Sequence, residues 1–353
     1  MTLQARITAG VGATAARLAL AAAVLGALAV VAALAFGLAP TAAAALVASW
    51  LFFAGLSAGS VALAAALRIA HGGWARPIVP LAEAGAAFFV PASALLVVVI
   101  AARAVLVHGA PVAPAAVRLV LSAALVFALG ARFVATARAP DAEPGRVRGA
   151  AVVYVLGYVV GLSVWAHDLV MALSEGPPFT VVPAYYFLGA FLSGLAWVAL
   201  LAALRDVSGP DLRHDIGKLL FGFIVVWSYL LWALFLPTWY GNVPEEAAVL
   251  LRRWSGPWKP VTAAVLVAVF AWPFWLLFSE RLKRRRATLA LGAGTILLGL
   301  WGERFLLVLP SLELPGGALA LALGAAVALG VAGTFVLSMG ARLGAPTSAG
   351  GAG

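Results

Sequence analysis

Cysteine is absent from this 353-residue chain. That excludes thiolate-ligated iron–sulfur clusters, the Cys-x-x-Cys-His attachment of c-type haem, and disulfides. Charge is scarce as well: 10% of residues are Asp, Glu, Lys or Arg, against about 25% in a soluble domain. Histidine occurs only at His71, His108, His167 and His214. The hydrophobic pattern below puts these four at both membrane ends and in loops, so no pair is set to sandwich a b-type haem. No cofactor is expected to be bound covalently, and any redox centre is a diffusible ligand or belongs to another subunit. There is no phosphate-binding glycine loop, no Ser/His/Asp catalytic pattern and no His-x-x-x-His metal signature.

What the chain has instead is apolar length. Hydrophobic residues make up 64% of it, with a mean hydropathy of +1.07. A run of about 20 apolar residues crosses the ~30 Å hydrocarbon core as a helix. Ten such runs are predicted, at 16–38, 42–67, 80–102, 115–137, 149–173, 182–204, 216–240, 258–280, 287–310 and 316–341. The expected fold class is an all-α integral membrane protein. The first run follows Arg6 and Arg17 and has the look of a signal peptide, but no convincing Ala-x-Ala site follows, so it is read as a retained helix. The Gly-, Ala- and Ser-rich stretch from 342 to 353 is expected to be a disordered tail.

The formal net charge of +10 is not read as a nucleic-acid signal, because the basic residues gather in alternate loops. All but six of the 23 lie on the side that holds both termini; the exceptions are Arg103, Arg118, Arg252, Arg253, Lys259 and Arg304. The positive-inside rule then makes both termini cytoplasmic. Arg281, Lys283, Arg284, Arg285 and Arg286 form a cytoplasmic anchor.

A faint repeat runs through the middle. Ala-Ala-Leu-Arg ends the second run at Arg68 and the sixth at Arg205, 137 residues on. His167-Asp168 near the outer end of the fifth run has a counterpart in Glu303-Arg304 near the outer end of the ninth. A shift of four spans preserves orientation, so the expectation is two parallel four-helix bundles, about 42–173 and 182–310, within one polytopic domain.

Ionisable residues in spans are costly and therefore informative. His167 and Asp168 suit either a helix end meeting headgroups or a proton acceptor beside a buried ligand. Glu303 and Arg304 lie deeper; adjacent residues point about 100° apart, so each is expected to face a different neighbour. On the cytoplasmic side His214, Asp215 and Lys218 share one helical face. They read as ordinary helix-start charge, with Asp215 at the N-terminal end of the dipole, or as the entrance of a proton path. Glu83, just inside the equivalent third span, strengthens the second reading. Tyr185, Tyr186, Trp239 and Tyr240 fit an interfacial aromatic belt. Asn242, Glu245 and Glu246 start an acidic outer loop that also suits docking of a partner protein, with Tyr240 beside it.

Several blocks resemble one family. Leu212-Arg213-His214-Asp215-Ile216-Gly217-Lys218-Leu219-Leu220-Phe221 and Trp239-Tyr240-Gly241-Asn242-Val243-Pro244-Glu245-Glu246 are similar to the ActF family, the NrfD-like membrane subunits of bacterial alternative complex III. Asp168 to Leu173, Tyr185 to Gly194, Gly72-Gly73-Trp74 running on to Glu83, and Glu303 ahead of Leu307-Val308-Leu309-Pro310 continue the likeness over roughly 50–310. The resemblance implies a subunit of a quinol:cytochrome c or quinol:oxidase oxidoreductase in a bacterial inner membrane. Its partners would be a second NrfD-like membrane subunit, an iron–sulfur subunit and haem c subunits, with menaquinone or ubiquinone as the diffusible ligand. It leaves open whether this chain serves quinol oxidation or proton translocation. Against the family pattern, His167 replaces an aromatic, Leu169 a Trp and Glu303 an Asp, and Arg304 is an addition. A stand-alone transporter and a purely structural anchor are the competing classes.

Overall fold

The computed structural model describes residues 2–107, 111–174, 180–241, 244–312 and 314–344. His108, Asn242, the side chains of Glu245 and Glu246, and the tail from 345 on lie outside the described residues. Among the described residues, ten helices are long and apolar enough to cross a membrane: Ala13–Ala35, Ala39–Ile69, Val79–Leu106, Val112–Ala137, Pro144–Leu173, Val182–Leu204, Pro210–Gly241, Trp258–Phe278, Arg286–Ser311 and Ala318–Leu343. We number these spans 1 to 10. No strand occurs among the described residues. The protein is an all-α, multi-pass membrane protein.

Most span ends fall close to the hydropathy prediction. Spans 5 and 7 start earlier, at Pro144 and Pro210. Proline suits a first helical position because the N–H it lacks would have no partner there and its φ is preset. The polar first turns that hydropathy leaves out are therefore helical. Asp211 rather than Asp215 occupies the first turn of span 7, so Asp215 does not take the helix-start position expected for it.

Span 2 is the hub. It packs on spans 3 and 5 in the first half of the chain, and span 6 packs on spans 7 and 9 in the second; spans 4 and 5 pair tightly, as do spans 8 and 9. Spans 2 and 6 cross each other, and span 2 meets span 9 as span 6 meets span 5. The crossing depends on small residues, which let backbones approach. A Cβ on Gly59 would lie 2.1 Å from the Ala190 carbonyl oxygen, and one on Gly194 2.2 Å from the Ser60 nitrogen. Ser174 and Ser311, 137 residues apart, hydrogen-bond to each other at 3.1 Å. That is the same offset as between Arg68 and Arg205, and it joins the far ends of spans 5 and 9. Span 10 packs along span 1 and against span 2, with Gly26 and Gly330 in close backbone contact.

Two spans are irregular. Span 3 passes through a 3₁₀ segment, Ala84–Phe88, directly after Glu83. Span 8 carries a π-helical turn, Val267–Ala271, ahead of Pro273, where proline removes a backbone donor from the helix ladder. Such widened turns are often found at functional sites. A short amphipathic helix, Pro244–Arg253, links spans 7 and 8 on the side away from the termini. Below, the side carrying the termini is the basic face and the other is the opposite face.

Candidate functional site

A cavity lies at the opposite face, in the second half of the chain. It encloses about 450 Å³, within the range of small-molecule sites. Span 7 contributes Trp227, Leu231, Trp232 and Phe235 to its walls, span 8 Thr262 and Leu266, and span 9 Glu303 and Leu307. Tyr185 of span 6 and Arg253 of the linking helix add polar groups to the lining, beside Ser174 and Ser228. The space exists because span 7 packs on span 8 mainly through the latter's basic-side half, 272–278, and the two helices diverge beyond it. Trp232, which is exposed, and Phe235 stand at that divergence.

The polar groups in this apolar chamber are incompletely satisfied. Glu303 is 3% exposed; Arg304 and Tyr185 stand beside its carboxylate, yet neither oxygen makes a well-formed hydrogen bond. The buried Trp227 indole N–H also lacks one. A buried polar group left without a partner costs free energy, about 1–3 kcal/mol, so such groups mark a place built for something else to meet them. Tyr185, buried and tilted against Trp227 at 5.9 Å between ring centres, neighbours Glu303. Arg253 donates from Nε to the Leu306 carbonyl at 2.9 Å and from Nη2 to that of Leu307 at 3.2 Å. It thereby ties the linking helix to the exposed carbonyls near the end of span 9. Desolvation in this position pushes its guanidinium down to about 10, still charged at neutral pH.

Glu303 and Arg304 do approach each other, Oε2 to Nη1 at 3.0 Å, contrary to the expectation from helical spacing. The reason is reach. The Arg304 guanidinium lies 4.5 Å over the Tyr186 ring, and from there one nitrogen returns to the neighbouring carboxylate. Tyr185 and Tyr186 are 2% and 0% exposed; they are interior residues, not an interfacial belt.

Asp168 is differently placed. Its side chain is fully buried, and both oxygens are held by Arg118, at 2.9 Å from Nε and 2.6 Å from Nη2. His167 Nδ1 adds a contact at 3.1 Å, and Arg103 donates to the Asp168 carbonyl at 2.9 Å. A bidentate guanidinium pair of this kind fixes geometry strongly. It suits anchoring spans 3, 4 and 5 together better than proton exchange.

At the basic face Glu83 is buried between Arg138, 2.7 Å away, and Arg68, 3.7 Å away. Asp215 and Lys218 pair at 2.6 Å on one helical face, as the spacing implied, and His214 Nδ1 is buried without a partner. Among the described residues, no hydrogen bond or ion pair joins Glu83 to the His214–Asp215–Lys218 group, or either to Asp168 or Glu303. Between the faces stand three interior tyrosines. Tyr154 donates to the Ala58 carbonyl at 2.8 Å, Tyr158 to that of Phe187 at 2.5 Å, and Tyr186 to that of Leu51 at 2.9 Å. Ser60, nearer Glu83, donates to the Ala82 carbonyl at 2.6 Å. Tyr240 is exposed at the opposite face.

Sequence reasoning found Glu303 and missed Tyr185, Trp227 and Arg253. The tyrosine pair opens a span, where an interfacial role is the ordinary one, and Trp227 is one of twelve tryptophans. No group of three or more His, Asp or Glu side chains able to hold a metal occurs among the described residues. No family model matches the chain, and no curated protein matches it.

Proposed function

We propose that this chain is a membrane subunit of a quinol-oxidising respiratory complex of the alternative complex III kind, and that its opposite-face cavity receives a quinol head. The observation that supports this best is the cavity itself: apolar, bordered by the divergence of spans 7 and 8, and lined by a buried carboxylate whose oxygens make no well-formed hydrogen bond. The residues present fit such a ligand. Aromatic and aliphatic walls suit a ring and the start of an isoprenoid tail, while Glu303, Tyr185 and the Trp227 N–H suit its two oxygens. A bound quinol would supply two electrons and two protons, the electrons leaving for a redox centre in a partner subunit. In this chain Glu303 accepts one of the two protons, the other leaving to water at the opposite face; Tyr185 orients the head group, and Arg304 lies beside the carboxylate.

The orientation that goes with this reading puts the basic face in the cytoplasm of a bacterial inner membrane and the cavity on the outer side. A second NrfD-like subunit, an iron–sulfur subunit and haem c subunits are the proposed partners; the quinol is menaquinol or ubiquinol. Proton passage is the second reading. It is favoured by the interior hydroxyls of Ser60, Tyr154, Tyr158 and Tyr186, which stand between Glu83 and Arg304.

Quinone binding to the purified protein tests the first reading. Quinones quench tryptophan fluorescence, and Trp227 and Trp232 line the cavity. A saturable quench by a short-chain quinone is expected. It should weaken several-fold in Glu303→Gln and disappear in Leu231→Trp, which fills the chamber. A quench that is linear in quinone concentration and identical in all three proteins would leave the transporter or anchor classes in possession.

A further inference from the structure

A second concavity, of about 320 Å³, lies at the basic end of the hairpin formed by spans 4 and 5. Its lining combines Arg132, Thr136 and Arg146 with Leu129, Gly149 and Val153. Arg132 and Arg146 are both exposed. Their neighbours are engaged: Arg138 binds Glu83, and Arg148 contacts His71. The guanidiniums of Arg132 and Arg146, by contrast, meet no hydrogen-bond acceptor or carboxylate among the described residues.

Two unpaired guanidiniums converging on one hollow form a site for an anion with several oxygens, because each offers a planar fork of donors. Gly149 keeps the hollow open; a Cβ there would meet no atom within 4 Å. Below the arginines the same groove becomes apolar. Val153, in the lining, is 49% exposed, and Leu156, one turn on along span 5, 63% exposed. Arg132 lies five residues inside the end of span 4, about 7 Å of helix rise, the depth from which an arginine snorkels to headgroup level.

We propose that this hollow is a binding site for an anionic phospholipid, its phosphodiester held between Arg132 and Arg146 and one acyl chain lying along Val153 and Leu156. Basic hollows between transmembrane helices are suited to such headgroups. The apolar continuation favours a lipid over free phosphate, which would have no use for it. The proposal is independent of the quinol reading.

The test uses full-length protein purified from membranes, delipidated, and exchanged into nanodiscs of mixed phosphatidylglycerol and phosphatidylcholine. Lipid retained after detergent re-extraction is then measured. Wild type should retain phosphatidylglycerol over phosphatidylcholine. R132Q/R146Q should lose roughly tenfold or more of that preference, since each basic contact near the surface contributes about 1 kcal/mol. R132K/R146K, which keeps the charge and loses the fork, should fall between. Should the double Gln variant fail to fold, the two single variants carry the comparison. Equal retention by wild type and variants overturns the site. Full displacement of phosphatidylglycerol by inorganic phosphate overturns the lipid assignment in favour of a free anion.

Discussion

Arg118 decides what Asp168 can do. A carboxylate buried at the end of span 5 is a natural candidate for proton chemistry, but a guanidinium takes both its oxygens. Removing one member of such a pair leaves the other stranded. Arg118→Ala is therefore expected to destabilise the protein by about 3 kcal/mol, the lower end for a buried pair, because the Arg118 side chain is 47% exposed. Asp168→Asn, which leaves no bare charge, should cost less. Thermal unfolding in detergent measures both; an Arg118→Ala protein as stable as wild type would show the pair to be idle. Asp168 was legible in the sequence because acids inside spans are rare. Arg118 was not, since it lies fifty residues earlier and reads as a loop charge. Glu303 was legible for the same reason as Asp168. Its place in the cavity wall, and the company of Tyr185 and Trp227, depend on how three separate helices pack.

Among the elements, the crossing of spans 2 and 6 carries the fold. Gly59 faces the Ala190 backbone and Gly194 the backbone of Gly59 and Ser60, closely enough that no side chain fits at either position. Gly194→Leu is expected to abolish assembly of a monodisperse particle, read by fluorescence-detected size exclusion, whereas Gly222→Leu, where a Cβ meets nothing within 4 Å, should leave it intact. A monodisperse Gly194→Leu protein would contradict the close crossing. Hydropathy shows that spans 2 and 6 exist. It does not show that they are the central pair, because glycine and alanine are abundant in every span. Nor does it show the π-turn of span 8. That feature lies just ahead of Pro273, where the contact of span 8 with span 7 thins out.

For the whole molecule, the distribution of basic residues predicts an orientation, and the natural lack of cysteine makes it simple to test. Cysteines placed singly at Ala142 and Ser255 occupy exposed loops at the two faces. An impermeant thiol reagent applied to intact cells should label the second and not the first; the reverse would invert the topology and move the cavity to the cytoplasmic side. On the proposed function, Glu303 serves a quinol head while Asp168 anchors helices and Asp215 serves neither. Steady-state quinol oxidation by the assembled complex tests this most directly, with proton release measured alongside. In Glu303→Gln the quinol KM should rise and kcat should fall, by roughly 10²-fold or more for loss of a general base. Asp215→Asn should keep both constants and full proton release. If Glu303→Gln retains wild-type kinetics, or if Asp215→Asn lowers proton release per quinol while oxidation continues, the account is wrong about what this chain contributes.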